Sequence, residues 1–137
     1  MAHNTIKRSA DQKRAQFCLN RINEYENRDS AWQDNYVSYV KSLPATILMC
    51  GLGQAMASLL AKPGRDEGKP HGQLYRDIEL WLCGNEGIFP GQDNLMTALT
   101  ASDMGTYLHA QAESLSLLIW LKKFASAFLG KVGGKVE

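Results

Sequence analysis

The sequence predicts an all-α protein, a single-domain bundle of about six helices around two mostly buried ones, on two observations. Apolar residues recur at three- and four-residue spacing over long stretches, while no stretch alternates apolar and polar as a half-buried strand does. Two segments, Leu43 to Lys62 and Ser102 to Leu129, are apolar on nearly every side, so other helices must wrap them. With 137 residues, 45% apolar and 21% charged, the chain suits one domain that buries roughly two-thirds of its unfolded surface.

From Thr5 to Arg28 there is neither Gly nor Pro, and Ala15, Cys18, Leu19, Ile22 and Tyr25 recur on one face of an amphipathic helix. Asp29 and Ser30 offer a cap for a second helix, Ala31 to Ser42, with Trp32, Tyr36, Tyr39 and Val40 as its aromatic-rich stripe. Proline suits a first helical turn, where its missing N–H has no partner to lose, so Pro44 places the start of a central helix at Leu43. Its charge-free stretch, Ala45 to Ala61, falls short of the ~18–20 residues of a membrane span and contains Thr46, Gln54 and Ser58, so no membrane contact is expected.

Pro63 to Pro70 has turn formers at both ends and charge between, the composition of an exposed, mobile loop. A shorter helix follows from His71 or Gly72 to Cys83, with Leu74, Ile78 and Trp81 inward, and the Gly84 to Gly91 segment stops it. Asp93 can cap a short helix reaching Thr100, and Ser102 the last helix. In that helix Leu108, Ala112, Leu115 and Ile119 form one apolar stripe and Leu118, Leu121, Ala125 and Phe128 another, so it too is expected to be mostly enclosed. Residues 130–137, with three glycines, have too little apolar surface to hold themselves in place and read as a flexible tail.

No constellation in the chain supports catalysis. Gly51-Leu52-Gly53 lacks the preceding strand and the third glycine of a dinucleotide loop, Met56 standing where that glycine belongs. His3, His71 and His109 have no matching ligands nearby, and no metal or cofactor is expected. Cys18, Cys50 and Cys83 are odd in number with no Cys-x-x-Cys spacing, and read as reduced, mostly packed thiols of a cytoplasmic protein. Glu79, Asp103 and Glu113 are single acids of the kind that cap helices or face solvent, Glu113 standing out amid apolar neighbours.

The net charge of +1 conceals a pattern. Lys7, Arg14, Arg21 and Arg28 recur every seven residues, a spacing that drifts only ~20° per step on a helix, so they form a stripe roughly 30 Å long. It is either a solvated face with Lys7–Asp11 and Glu24–Arg28 pairs or a track for several phosphates. Arg14 and Arg21 have no partner at the favoured spacing on their own helix. Lys41, Lys62, Lys122 and Lys123 extend such a surface if the fold brings them to it.

Three blocks stand out: Arg14-Ala15-Gln16-Phe17, then Tyr39 to Leu48 running into Gly51 to Gln54, and Glu113-Ser114-Leu115 through Trp120 to Phe124. Together they resemble the small helical subunit of the Cmr complex, the type III-B CRISPR effector that targets RNA. A Tyr75 to Leu82 segment ending in Trp-Leu is similar as well, so the likeness spans Lys13 to Leu129. The resemblance implies a non-catalytic subunit beside the repeating backbone subunits of a ribonucleoprotein filament, with other Cmr-type subunits, guide RNA and target RNA as partners. It makes Arg14, Lys41, Lys62 and Lys123 candidates for contact with the RNA backbone, with Arg21 and Lys122 as additions. The loop from Glu67 to His71 and the Gly84 to Gly91 insertion are less family-like. A helical protein-interaction scaffold without RNA contact is the alternative; a helix-turn-helix DNA regulator is weaker, because Ser42-Leu43-Pro44 is a poor turn into a recognition helix.

Overall fold

The computed structural model describes residues 7–64 and 68–130. The centre of the expected loop after Lys62 and the expected tail beyond Gly130 lie outside the described residues. Six helices and no strand are found among the described residues: α1 (Ala10–Tyr25), α2 (Ser30–Cys50), α3 (Leu52–Ala61), α4 (Pro70–Leu82), α5 (Leu95–Ala101) and α6 (Met104–Phe128).

Short polar side chains start four of these helices. Ser9 and Gln12 form a reciprocal capping box on α1, satisfying two backbone N–H groups that have no partner within the helix. Asp29 caps α2 by accepting from the Trp32 N–H at 2.8 Å. The caps of α5 and α6 are Asn94 and Asp103, each one residue beyond the expected Asp93 and Ser102. Either neighbour carries a suitable oxygen, and only the backbone path decides which one reaches.

The central apolar segment departs from expectation. Helix α2 runs through Pro44 instead of starting there, and stops at Gly51. An interior proline costs about 3 kcal/mol. Packing offsets that cost, because Val40, Leu43 and Ile47 on both sides of Pro44 are buried in the core. The break comes at Gly51, with φ 87° and ψ 160°, a conformation open essentially to glycine alone. Helix α3 then starts without a side-chain cap of its own. The long helix α6 supplies the missing acceptors: the Leu52 N–H donates to Gln111 Oε1 at 2.9 Å and the Gly53 N–H to the Tyr107 hydroxyl at 2.7 Å.

Helix α6 packs between α1 and α2, and α4 lies across α2 and α3. Leu117, Leu118, Leu121 and Ala125 of α6 are buried against Cys18 and Ile22 of α1, the aromatic and aliphatic face of α2, and Leu74, Ile78 and Leu82 of α4. The other apolar stripe of α6 is largely open: Leu108 and Ile119 are more than half exposed, as is Met104 before them, while Leu115 is partly buried against the core; Phe128, expected on the enclosed stripe, is also exposed. Leu48 and Met49 at the end of α2 are likewise exposed, at 70% and 82%. Cys50 is exposed too, against the expectation of packed thiols, whereas Cys18 is buried and its thiol pushed well above the ordinary range by desolvation. No helix among the described residues is long and apolar enough to cross a membrane.

Candidate nucleic-acid interface

The expected four-residue stripe is not one helical face: α1 starts at Ala10 and ends at Tyr25, so Lys7 and Arg28 lie outside it, and the two members on it, Arg14 and Arg21, turn into the bundle. Arg14 makes a two-pronged contact with Glu113 of α6, Nε to Oε2 at 2.7 Å and an η nitrogen to Oε1 at 2.9 Å. Glu113 also accepts from the Trp81 indole N–H at 2.8 Å, so one carboxylate ties together α1, α4 and α6. Arg21 donates through Nε to Asp77 of α4 at 2.8 Å. The intrahelical pairs are at i,i+3, Arg14 with Asp11 and Arg21 with Glu24. Arg28 lies 4.5 Å over the Trp32 ring, a cation–π contact. Arg14 thus spends a bidentate pair of donors on Glu113, and Arg21 spends Nε on Asp77 and an η nitrogen on the Tyr25 hydroxyl, donors a phosphate would otherwise ask of them.

Asp77 is the most buried charge among the described residues. It is fully enclosed and accepts from Arg21 and from the hydroxyls of Tyr25 at 2.7 Å and Tyr36 at 2.6 Å. Burial holds its carboxyl above the usual range even though the two hydroxyls and Arg21 pull it down. Nothing in the sequence reading singled it out. The signal was nonetheless present, since position 77 falls on the inward stripe marked by Leu74, Ile78 and Trp81, and a buried carboxylate there requires donors. Glu79 accepts from the Leu95 N–H at 2.9 Å, fixing the start of α5, and pairs with Arg76. His71 is buried between the carbonyl oxygens of Leu59 and Pro63, each 3.0 Å from a ring nitrogen, and so ties α4 to the end of α3.

Glu113 gives a pH prediction. Its carboxyl is held below the ordinary 4.5, chiefly by the Arg14 hydrogen bond, with burial opposing. The folded protein therefore binds this proton less readily than the unfolded chain, so the contribution is complete above the unfolded pKa and lost as pH falls through the lower folded one. Glu113→Gln is expected to be less stable than the parent near neutrality, with the gap narrowing in acid; urea unfolding at about pH 7 and about pH 3 measures it.

The lysines behave differently from the arginines. Lys41 on α2 and Lys122 and Lys123 on α6 are exposed. Helices α2 and α6 run antiparallel, with Leu52 meeting Gln111 at one end and Gly130 meeting Gln33 at the other, so Lys41 stands level with Lys122 and Lys123 along the bundle. Beside the last two, Ile119, Ser126 and Ala127 line a shallow depression of about 560 Å³. Lys62 instead sits at the end of α3 with its ammonium 5.5 Å over the Tyr39 ring. Of the six residues proposed from sequence, three exposed lysines thus share one level, Lys62 lies over Tyr39, and Arg14 and Arg21 are held by acids.

The comparison with known families decides the lineage. The model of the CRISPR-associated protein family Cmr5 matches residues 10–128. The chain belongs to the Cmr5 family. The matched span begins and ends with the first residue of α1 and the last of α6, so all six helices of this Cmr5 chain fall within it. Its fold is also that of a Cmr5 family protein from Thermus thermophilus, known from an X-ray crystal structure, with a TM-score of 0.71 at 22% identity, covering 89% of this chain and 99% of that one. Membership in a Cmr family implies other Cmr subunits as partners.

Proposed function

We propose that this Cmr5 chain is a non-catalytic small subunit of a type III-B CRISPR ribonucleoprotein in the cytoplasm, packed along a filament and facing the backbone of guide and target RNA. The single observation that carries the reading is the open face of α6. There Met104, Leu108 and Ile119 offer apolar surface for a neighbouring subunit, while Lys122 and Lys123, level with Lys41, offer cations for phosphates. A structural role is supported by how the inner polar groups are used: Asp77, Glu79, Glu113 and His71 all have their hydrogen bonds directed at other parts of the bundle. Such a surface recognises shape and charge and leaves sequence to guide pairing.

The competing reading is a protein-interaction scaffold without RNA contact, favoured by one observation, the commitment of Arg14 and Arg21 to Glu113 and Asp77. Salt dependence separates the two. Replacing Lys41, Lys122 and Lys123 together with alanine is expected to leave folding intact and to reduce the log–log salt slope of target-RNA retention by the assembled complex by about 2, since each phosphate contact to a single strand contributes about 0.7. An unchanged slope and unchanged retention would establish the scaffold.

A further inference from the structure

Between the first half of α1 and the end of α4 lies a cleft of about 410 Å³ that involves none of these lysines. Its floor is aromatic. Phe17 and Trp81 are both half-buried, with ring centroids 5.1 Å apart and planes inclined by 48°, and both line the opening. The indole is fixed in place before any ligand arrives, because its N–H donates to Glu113, which Arg14 holds in turn. Aromatic faces held in this way are platforms for nucleobases.

The walls carry the complementary chemistry. The side-chain amides of Gln16, Asn20 and Asn85 face the cleft and make no hydrogen bond to other described residues, leaving paired donors and acceptors of the kind that match a base edge. Arg8 and Lys13 stand on the rim. Lys13 pairs with Glu86 at 3.1 Å, but both are well exposed, and an ion pair of that kind is weak enough to exchange for a phosphate. The Glu86 carboxylate disfavours a doubly charged terminal phosphate more than a singly charged phosphodiester. A second hollow of about 260 Å³ shares Lys13, Trp81 and Glu86 with the first and continues toward His109, which gives the chain of a polynucleotide room to pass.

The geometry points to a seat for one unpaired nucleotide of single-stranded RNA. The base lies over Phe17 and Trp81, its edge meets the amides of Asn20 and Asn85, and its phosphodiester lies against Arg8 and Lys13. This deepens the RNA-facing reading above and rests on it, while assigning the contact to other residues.

The test is a titration of the full-length, isotope-labelled protein with single-stranded octaadenylate and octauridylate RNA, followed by side-chain NMR. The Trp81 indole N–H and the amide groups of Asn20 and Asn85 are expected to shift. Arg8→Ala and Asn20→Ala, both at exposed positions that leave the fold intact, are expected to weaken binding about five- to tenfold each. Shifts confined to the surroundings of Lys41, Lys122 and Lys123 would overturn the seat while leaving the RNA-facing reading standing. No shift anywhere would overturn the seat and count against direct RNA contact as well. If Asn20→Ala lost co-purifying subunits while binding RNA like the parent, the cleft would be a protein seat and the inference would fail.

Discussion

Replacing Asp77 with alanine is expected to lower the unfolding free energy by about 3–5 kcal/mol, the usual consequence of removing one partner from a buried ion pair. For a chain of this size that corresponds to a fall in Tm of roughly 10–20 °C. The magnitude follows from what is left behind. The Arg21 guanidinium loses the carboxylate that offsets its partial burial, and the hydroxyls of Tyr25 and Tyr36 lose their acceptor in a site closed to water. Asp77→Asn keeps an acceptor oxygen of the same shape and is expected to cost clearly less. Urea unfolding of both variants, with m unchanged, measures the difference. Equal stability of Asp77→Ala and the parent would mean that the cluster is not what joins α1, α2 and α4. Because α2 carries Lys41 and packs against α6 with Lys122 and Lys123, and α1 and α4 frame the aromatic cleft, the same variant is expected to lose binding at both through unfolding, not through lost contact.

Gly51→Ala is expected to cost about 1–3 kcal/mol, the strain of placing a side chain at a backbone conformation that glycine alone adopts readily. The new Cβ also falls 3.2 Å from the Tyr107 hydroxyl, which receives the Gly53 N–H. Relief by straightening the chain into one continuous helix is blocked. Leu52, Ala55, Met56 and Leu59 of α3 are buried in their present direction, and the Leu52 N–H is held by Gln111. Thermal unfolding checks the cost; a stabilised Gly51→Ala protein would show that the break between α2 and α3 is not enforced by the packing of α6. The control is Gly91→Ala, another positive-φ glycine but with open space around it, which carries backbone strain without the tight contact.

The two glycines Gly51 and Gly53 illustrate how far sequence reading reaches. Their rejection as a dinucleotide loop follows from what surrounds them, and helix-to-helix closeness is the role they have, since both lie against Tyr107. Their place was misjudged because Pro44 is the stronger local punctuation and Gly51 the weaker. A proline tolerated at the first turn and one tolerated mid-helix look alike until the packing of Val40, Leu43 and Ile47 is known. The open stripe of α6 was misjudged for a related reason: Leu108 and Ile119 recur with the same period as the buried Leu118 and Leu121, and periodicity reports a face without saying what covers it.

The sequence by itself determined the all-α class, the number of helices, most caps to within one residue, and the family, because these depend on local periodicity, on short polar side chains next to free N–H groups, and on blocks of contiguous residues. It left Arg14 and Arg21 without a partner at i,i+4, whereas on their own helix they pair at i,i+3 with Asp11 and Glu24. Only the tertiary structure decided that their partners on other helices are Glu113 and Asp77, separated from them by 99 and 56 residues, and that the basic stripe is thereby divided between core and surface. Charge along a helix is visible in one dimension. Which carboxylate desolvation forces it to meet is settled only when helices distant in the chain close around the same core.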